Sequence, residues 1–234
     1  MLLGTPKTAL LLPDDRARDI VELRLVWKNI NYFSCPYNYN FHLHTNCSDG
    51  QLSPEAIVEQ AITIGLQGFA ITDHHTIKGF FRARQYLSEK YHNNSHLPHL
   101  WTGIEITSDL YGTNVHILGY GFNPESKILQ KYLTGDVPTG KDAEAKNVIA
   151  SLHEAGGLVV LAHPARYRRS AEELIPLASE LGVDGLETYY AYSNPNPWQP
   201  SEKQTETVKY LARKYKLYTT CGTDTHGENI LVRL

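Results

Sequence analysis

Cysteine is scarce in this chain: Cys35, Cys47 and Cys221 are the three present among 234 residues. So small and odd a count does not make a disulfide framework and suits a reducing compartment. Also lacking is any apolar run near the ~20 residues that a membrane-spanning helix needs. Leu10-Leu11-Leu12 is much shorter than the apolar region of a signal peptide, and Pro13-Asp14-Asp15 ends it. A cytoplasmic location with no membrane partner is expected. Nor is there an excess of basic charge, since 22 Lys and Arg face 25 Asp and Glu for a net charge of -3. Holding a long nucleic acid requires a cationic footprint, so none is expected as a partner. Internal repeats and low-complexity tracts are absent too.

What is present is a composition ordinary for a globular protein, 41% hydrophobic and 20% charged. The length fits one mid-sized domain that buries a core without disulfide staples. Residues 1–38 read as an irregular extension. Within it, 19–27 is a candidate helix whose apolar pattern fits neither period cleanly. Residues 39–234 read as the main domain.

There, short apolar runs alternate with longer amphipathic ones. Strands are expected at 39–44, 68–72, 101–106, 115–120, 158–162, 185–189 and 217–221. Helices are expected at 53–65, 76–91, 142–155, 170–181 and 201–215. The first of these helices has the clearest ends: Ser53 as N-cap, Pro54 at the first helical position, Glu55 in the first turn and Gly65 as terminator. Strand and helix alternate without long hairpin turns, which argues for a parallel α/β architecture, either a barrel or an open doubly wound sheet.

Histidine is the unusual entry in the composition, at 11 residues. His42-Leu43-His44 places two imidazoles on one face of a strand, and a polar loop with Asp49 follows. Thr72-Asp73-His74-His75 follows the second apolar run. Glu105 and His116 lie inside apolar strands, where a lone carboxylate is costly unless paired or metal-bound. His163 ends the fifth run, and Asp224 and His226 follow the seventh. Singly, each is as well explained by a surface or core residue. Together they place His, Asp or Glu in or at the C-terminal edge of six of the seven expected strands. Ligands drawn from successive strand ends converge on one point, as a cluster of divalent ions requires. His92, His96, His99 and His153 fall in helical or loop stretches and read as solvated surface.

The ordered set His42-Leu43-His44, Ser48-Asp49-Gly50, Thr72-Asp73-His74, Gly103-Ile104-Glu105, His116-Ile117-Leu118-Gly119-Tyr120, Ala162-His163-Pro164 and Asp224-Thr225-His226-Gly227 resembles the polymerase and histidinol phosphatase (PHP) superfamily, in its branch of small metal-dependent phosphoesterases. The resemblance implies a distorted (β/α)7 TIM-like barrel with two to three divalent ions (zinc, manganese or iron) at the C-terminal ends of the strands. It implies His42, His44, Glu105 and Asp224 around a first ion. Glu105 would bridge to a second ion held by His116 and His163, and Asp49, His74 and His226 would hold a third. The sequence departs from the family pattern in three ways. His75 follows His74, as a substrate contact or alternative ligand. An inserted lid between His116 and His163 is missing. Residues 1–38 have no counterpart.

Three divalent ions against Asp49, Glu105 and Asp224 leave a local surplus of about three positive charges, suited to a phosphate dianion. The function implied is hydrolysis of a small phosphorylated metabolite, with nucleotides the expected class, by attack of a metal-bridging hydroxide on phosphorus. No protein nucleophile is needed. Arg166 is a candidate bidentate clamp for a phosphate oxygen and Lys78 a weaker one. Asp73 is expected to orient a ligand histidine from behind, and Glu187 to do the same or line the pocket. The alternatives are an exonuclease on short oligonucleotides, a non-catalytic metal-binding accessory domain, and an amide hydrolase. The oligomeric state is not set by any of these features.

Overall fold

A computed structural model describes residues 16–91 and 97–234. His92 and His96 lie outside the described residues. The chain builds an α/β fold from two sheets. In the first, β1 (Tyr39–Asn40), β2 (Gly68–Ala70) and β3 (His99–Trp101) are all parallel. The second runs β4 (Gly103–Leu110), β5 (Thr113–Tyr120), β6 (Leu158–Leu161), β7 (Gly185–Tyr189) and β8 (Tyr218–Cys221).

Two expectations about the strands need correction. The run 101–106 is not one strand, because the ladder changes partner at Thr102: Trp101 pairs with Ala70, and Gly103 with Tyr120. The architecture is also not purely parallel. β4 and β5 form an antiparallel hairpin, and β6 runs antiparallel to β5 before parallel pairing resumes through β7 and β8. The hairpin turns on Tyr111 and Gly112, with φ of 49° and 83°, the positive-φ pair that two-residue hairpin loops require. The expected barrel is not one closed ladder. Isolated bridges, Leu43 to Thr225 and His74 to Glu105, link the segments after β1 and β2 to the segment after β8 and to β4.

The helices fall close to expectation. In α2 (Pro54–Ile64), Ser53 Oγ accepts from Ala56 N at 3.2 Å, and Gly65 closes the helix at φ 82°. The others in the main domain are α3 (Lys78–Lys90), α4 (Ala145–Glu154), α5 (Ala171–Glu180) and α6 (Glu202–Tyr215). They cover the sheets, with Val148, Ile149 and Leu152 of α4 and Leu174 and Ile175 of α5 in one buried cluster with Ile104, Ile117 and Leu161.

The described part of the N-terminal extension is ordered. Asp19 caps α1 (Ile20–Asn29) by accepting from Val21 N and Glu22 N. Trp27 is buried edge-on against Tyr120 and Phe41, at ring distances of 5.4 and 6.1 Å. Cys35 is joined to Cys221 by a disulfide across 186 residues, which departs from the expectation for a chain with three cysteines. His99 is not solvated surface. It stacks on Trp101 at 3.8 Å and its Nε2 lies 2.6 Å from the Arg16 carbonyl oxygen. His153 lies partly exposed beside Asp184.

Candidate metal centre

The chain past β1 is drawn between its neighbours. Asp224 N donates to His42 O, His44 N donates to Thr225 O, and Thr72 N donates to Leu43 O. Leu43 thus points into the core, and the i, i+2 relation sends both flanking imidazoles to the opposite face. His42 and His44 are fully buried, with their Nε2 atoms 3.1 Å apart. Glu105 Oε2 stands 3.0 Å from each, and Asp224 Oδ1 stands 3.3 and 3.2 Å from them. Four donor atoms so spaced match the ligand–ligand separation of about 3.3 Å in a tetrahedral site with bonds near 2.0 Å.

The same carboxylate faces a second group. Glu105 Oε1 lies 2.7 Å from His116 Nδ1 and 3.5 Å from His163 Nε2. A third group gathers at the rim. Asp49 Oδ2 is 3.2 Å from His226 Nε2 and 3.7 Å from His74 Nε2, and Asp49 Oδ1 is 3.5 Å from His44 Nδ1. The donor atoms of His42, His44, Glu105 and Asp224 lie mutually close, as do those of His44, Asp49, His74 and His226, and those of His74, Glu105 and His116. All nine expected ligands therefore converge. Two details add to the expected grouping: His44 also lies near the rim group, and His74 Nε2 also stands 3.6 Å from Glu105 Oε2, beside the His116–His163 pair on Oε1.

A cation fits these residues. Glu105 is 1% exposed and faces histidines alone, and burying a carboxylate is unfavourable without a positive partner. Both ring nitrogens of His163, and Nδ1 of His44 and of His74, are buried without a hydrogen-bond partner. His163 and Asp224 also adopt φ of 25° and 54°, a left-handed backbone that non-glycine residues hold at a cost and that recurs at functional sites.

The electrostatics follow the same pattern. Burial pushes the His44 imidazole down, but Asp224 and Glu105 outweigh it and lift its pKa to about 9. For His74 burial prevails, and the pKa drops to about 4. Burial raises the carboxyl of Glu105, yet His42 and His116 more than reverse this and hold it well below the usual range.

The remaining expected residues are placed as follows. Glu187 accepts from His42 Nδ1 at 2.9 Å and from the His163 backbone N–H at 2.8 Å. Asp73 accepts from Thr45 N, Thr45 Oγ1 and Ser48 Oγ at 2.7, 2.7 and 2.8 Å, so its carboxylate holds the loop that carries Asp49 instead of a histidine ring. His75 is buried, with Nε2 3.2 Å from Thr107 Oγ1. Lys78 is exposed at the start of α3. Arg166 reaches Asp224 Oδ2 at 3.2 Å. Sequence reasoning missed Arg233 and Tyr190, which contact the same oxygen at 2.8 and 2.7 Å. Neither sits in a motif, and only the folded tail and the end of β7 bring them in.

Histidines and carboxylates gathered at the strand ends of an α/β fold are the apparatus of a metal-dependent phosphoesterase, and the chain is an enzyme of that class. The family model described as the PHP domain matches residues 40–219, and the chain belongs to that family. The 5'-3' exoribonuclease Rnm of Escherichia coli K12 is 24% identical over 260 residues, covering 80% of this chain and 85% of the relative. A 3',5'-nucleoside bisphosphate phosphatase of Chromobacterium violaceum is 29% identical over 119 residues, covering 51% of this chain and 39% of the relative. A crystal structure described as a metal-dependent phosphoesterase from Bifidobacterium adolescentis superposes with a TM-score of 0.67 at 24% identity, covering 82% of this chain and 89% of that one.

Proposed function

We propose that the protein hydrolyses a phosphate ester of a nucleotide. The observation that carries the reading is Glu105, whose two buried oxygens face two separate groups of histidines. A carboxylate so shared would suit a cation toward each group, and their charge would favour a phosphoryl group. His42, His44, Glu105 and Asp224 would hold one ion, Glu105, His116 and His163 a second, and Asp49, His74 and His226 a third, each zinc, manganese or iron. When bound, the ions supply Lewis-acid activation of water and of the phosphoryl oxygens.

The chain's own contribution is positioning. Glu187 accepts the Nδ1 proton of His42, which leaves the Nε2 lone pair turned inward. Asp73 fixes the loop that presents Asp49. No thiol takes part: Cys35 and Cys221 are disulfide-bonded, and Cys47 Sγ lies 3.7 Å from Arg82. In this reading the two sheets act as halves of one distorted barrel, with the strand ends as its mouth.

A second reading, removal of terminal nucleotides from short oligoribonucleotides, is favoured by the exoribonuclease relative, whose match spans most of both chains. The test compares the metal-loaded enzyme on a nucleoside 3',5'-bisphosphate and on a short 5'-phosphorylated oligoribonucleotide. Release of inorganic phosphate from the former, abolished by chelation and by His42→Ala with circular dichroism unchanged, is expected. Mononucleotide release from the oligomer at a much higher kcat/KM would establish the second reading in its place. No hydrolysis of either would end both.

A further inference from the structure

We propose that Arg233 forms, with Arg166, a guanidinium clamp for the phosphoryl group of the substrate; this rests on the phosphoesterase reading above. The starting point is crowding at one atom. Asp224 Oδ2 meets Tyr190 Oη at 2.7 Å, Arg233 Nε at 2.8 Å and Arg166 Nη1 at 3.2 Å. The other oxygen of the same carboxylate faces His42 and His44. The two guanidiniums therefore stand one carboxylate away from the ion-binding donors.

The charge is out of balance. Among the described residues, Asp224 is the one carboxylate that either arginine pairs with. Two positive charges face one negative charge that the site also claims from its other side. Neither pair is bidentate, since each guanidinium reaches Asp224 through a single nitrogen, which leaves fork geometry available to an oxyanion. Holding Asp224 in place requires no second arginine, because the Tyr190 hydroxyl already donates to Oδ2. An incoming phosphate oxygen can thus take guanidinium N–H groups without leaving Asp224 unpaired.

Arg233 is placed there by its backbone. Its carbonyl accepts from His226 N at 2.7 Å and Gly227 N at 3.3 Å. Gly227 has no side chain to keep the backbone of Leu234 away. Upstream, the buried Ile230 gives its carbonyl to Asn40 Nδ2 and Thr223 Oγ1, and the Val232 carbonyl accepts from Thr225 Oγ1. The tail is tied to the strand ends through Ile230, Val232 and Arg233, and the Arg233 side chain, 16% exposed, is fixed against the site. Arg166, at 44%, closes the other side.

The experiment uses the full-length metal-loaded enzyme and its Arg233→Ala, Arg233→Lys and Arg166→Ala variants. Measured for each are KM and kcat on a nucleoside bisphosphate, the inhibition constant of inorganic phosphate, its binding by calorimetry, and bound metal by elemental analysis. Loss of a charged hydrogen-bonding partner predicts that Arg233→Ala weakens phosphate by about ten- to a hundredfold with metal content unchanged. Arg233→Lys recovers only part of this, because an ammonium keeps the charge without the fork. An unchanged phosphate inhibition constant overturns the proposal, as does a loss that tracks loss of bound metal, which would make Arg233 a support for Asp224 alone. Should the wild-type enzyme hydrolyse no phosphate ester, the functional reading fails first, before any variant is compared.

Discussion

One carboxylate ties the first and sixth strands of the site together: Glu187 on β7 takes the Nδ1 proton of His42 with one oxygen and the backbone N–H of His163 with the other, at 2.9 and 2.8 Å. At 1% exposure this group cannot be stabilised by water, so its two partners are what permit its burial. With an ion bound, the arrangement would favour the His42 tautomer that keeps Nδ1–H on Glu187 and turns the Nε2 lone pair toward the ion-binding donors Glu105 and Asp224.

Glu187→Gln should weaken metal binding while leaving the fold in place. The amide retains an acceptor for one partner and confronts the other with an N–H, so one of the two positioning contacts is lost. Removing such a support behind a ligating histidine costs about 10- to 100-fold in metal affinity. Competition against a chromophoric chelator measures this directly. An unchanged affinity would show that Glu187 serves the strand ends and not the ligand.

The metal-free and metal-loaded proteins should respond to pH in opposite directions. In the metal-free form burial lowers the His44 pKa, but Asp224 and Glu105 lift it from 6.5 to about 9, and His42 is raised well above its ordinary value. A pKa raised on folding contributes stability that is fully present below about pH 6.5 and is lost as pH rises through about 9. Cation binding needs neutral imidazoles, so metal affinity rises over that window and binding at pH 7 releases protons. Melting the chelated protein between pH 6 and 9.5, and calorimetric metal titration in two buffers of different ionisation heat, check both halves. A melting temperature for the chelated protein that climbs across the window would count against this account.

Local patterns were the legible part of this molecule. His42 and His44 two apart, Ser53-Pro54 before α2, Gly65 after it, and Asp224 and His226 after β8 each declare themselves within a few residues. The period of a strand and the needs of a helix end are short-range physics. The hairpin was harder to see, because Tyr111-Gly112 lacks the Asn-Gly or Asp-Gly signature and Tyr111 must accept a positive φ. The break at Thr102 depends on which strand lies alongside, which no local pattern encodes. His99 looked solvated because the expected strand began at 101, whereas β3 starts at His99 and the i, i+2 relation stacks its ring on Trp101; its acceptor, the Arg16 carbonyl, becomes a neighbour only on folding. Arg233 escaped for the same reason: its place depends on a tail that folds back over the sheet.

The Cys35–Cys221 bond makes a prediction of its own. Closing 186 residues removes roughly 5 kcal/mol of unfolded-chain entropy in the simplest model, and measured values are commonly ~2–4 kcal/mol. Cys35→Ser should therefore lower the melting temperature by roughly 5–15 °C for a chain of this length. Reductant should produce a similar shift in the wild type and none in the variant. If reductant moves both alike, the bond is not the cause.

Gly79 sets two principles against each other. It lies in the first turn of α3, where helix propensity alone favours alanine by at most ~1 kcal/mol. Packing says the reverse. A Cβ at Gly79 would run into Asp73 Oδ2 and stand 2.9 Å from Thr45 Oγ1. Asp73 is fully buried and spends that oxygen on Thr45, so the neighbour that must give way cannot do so freely. Overpacking costs about 1–3 kcal/mol, and a weakened hydrogen bond to a charged group adds about 1.5–3 kcal/mol. The steric effect wins, and Gly79→Ala should destabilise the protein by about 2–4 kcal/mol. The damage should also reach the site, because Asp73 holds the Thr45–Ser48 loop and Asp49 follows it directly. Urea unfolding gives the stability, and elemental analysis gives the metal stoichiometry, with loss expected first from the rim group of Asp49, His74 and His226. A variant that is more stable and fully metallated would mean that helix propensity governs this position and that Asp73 does not anchor the loop.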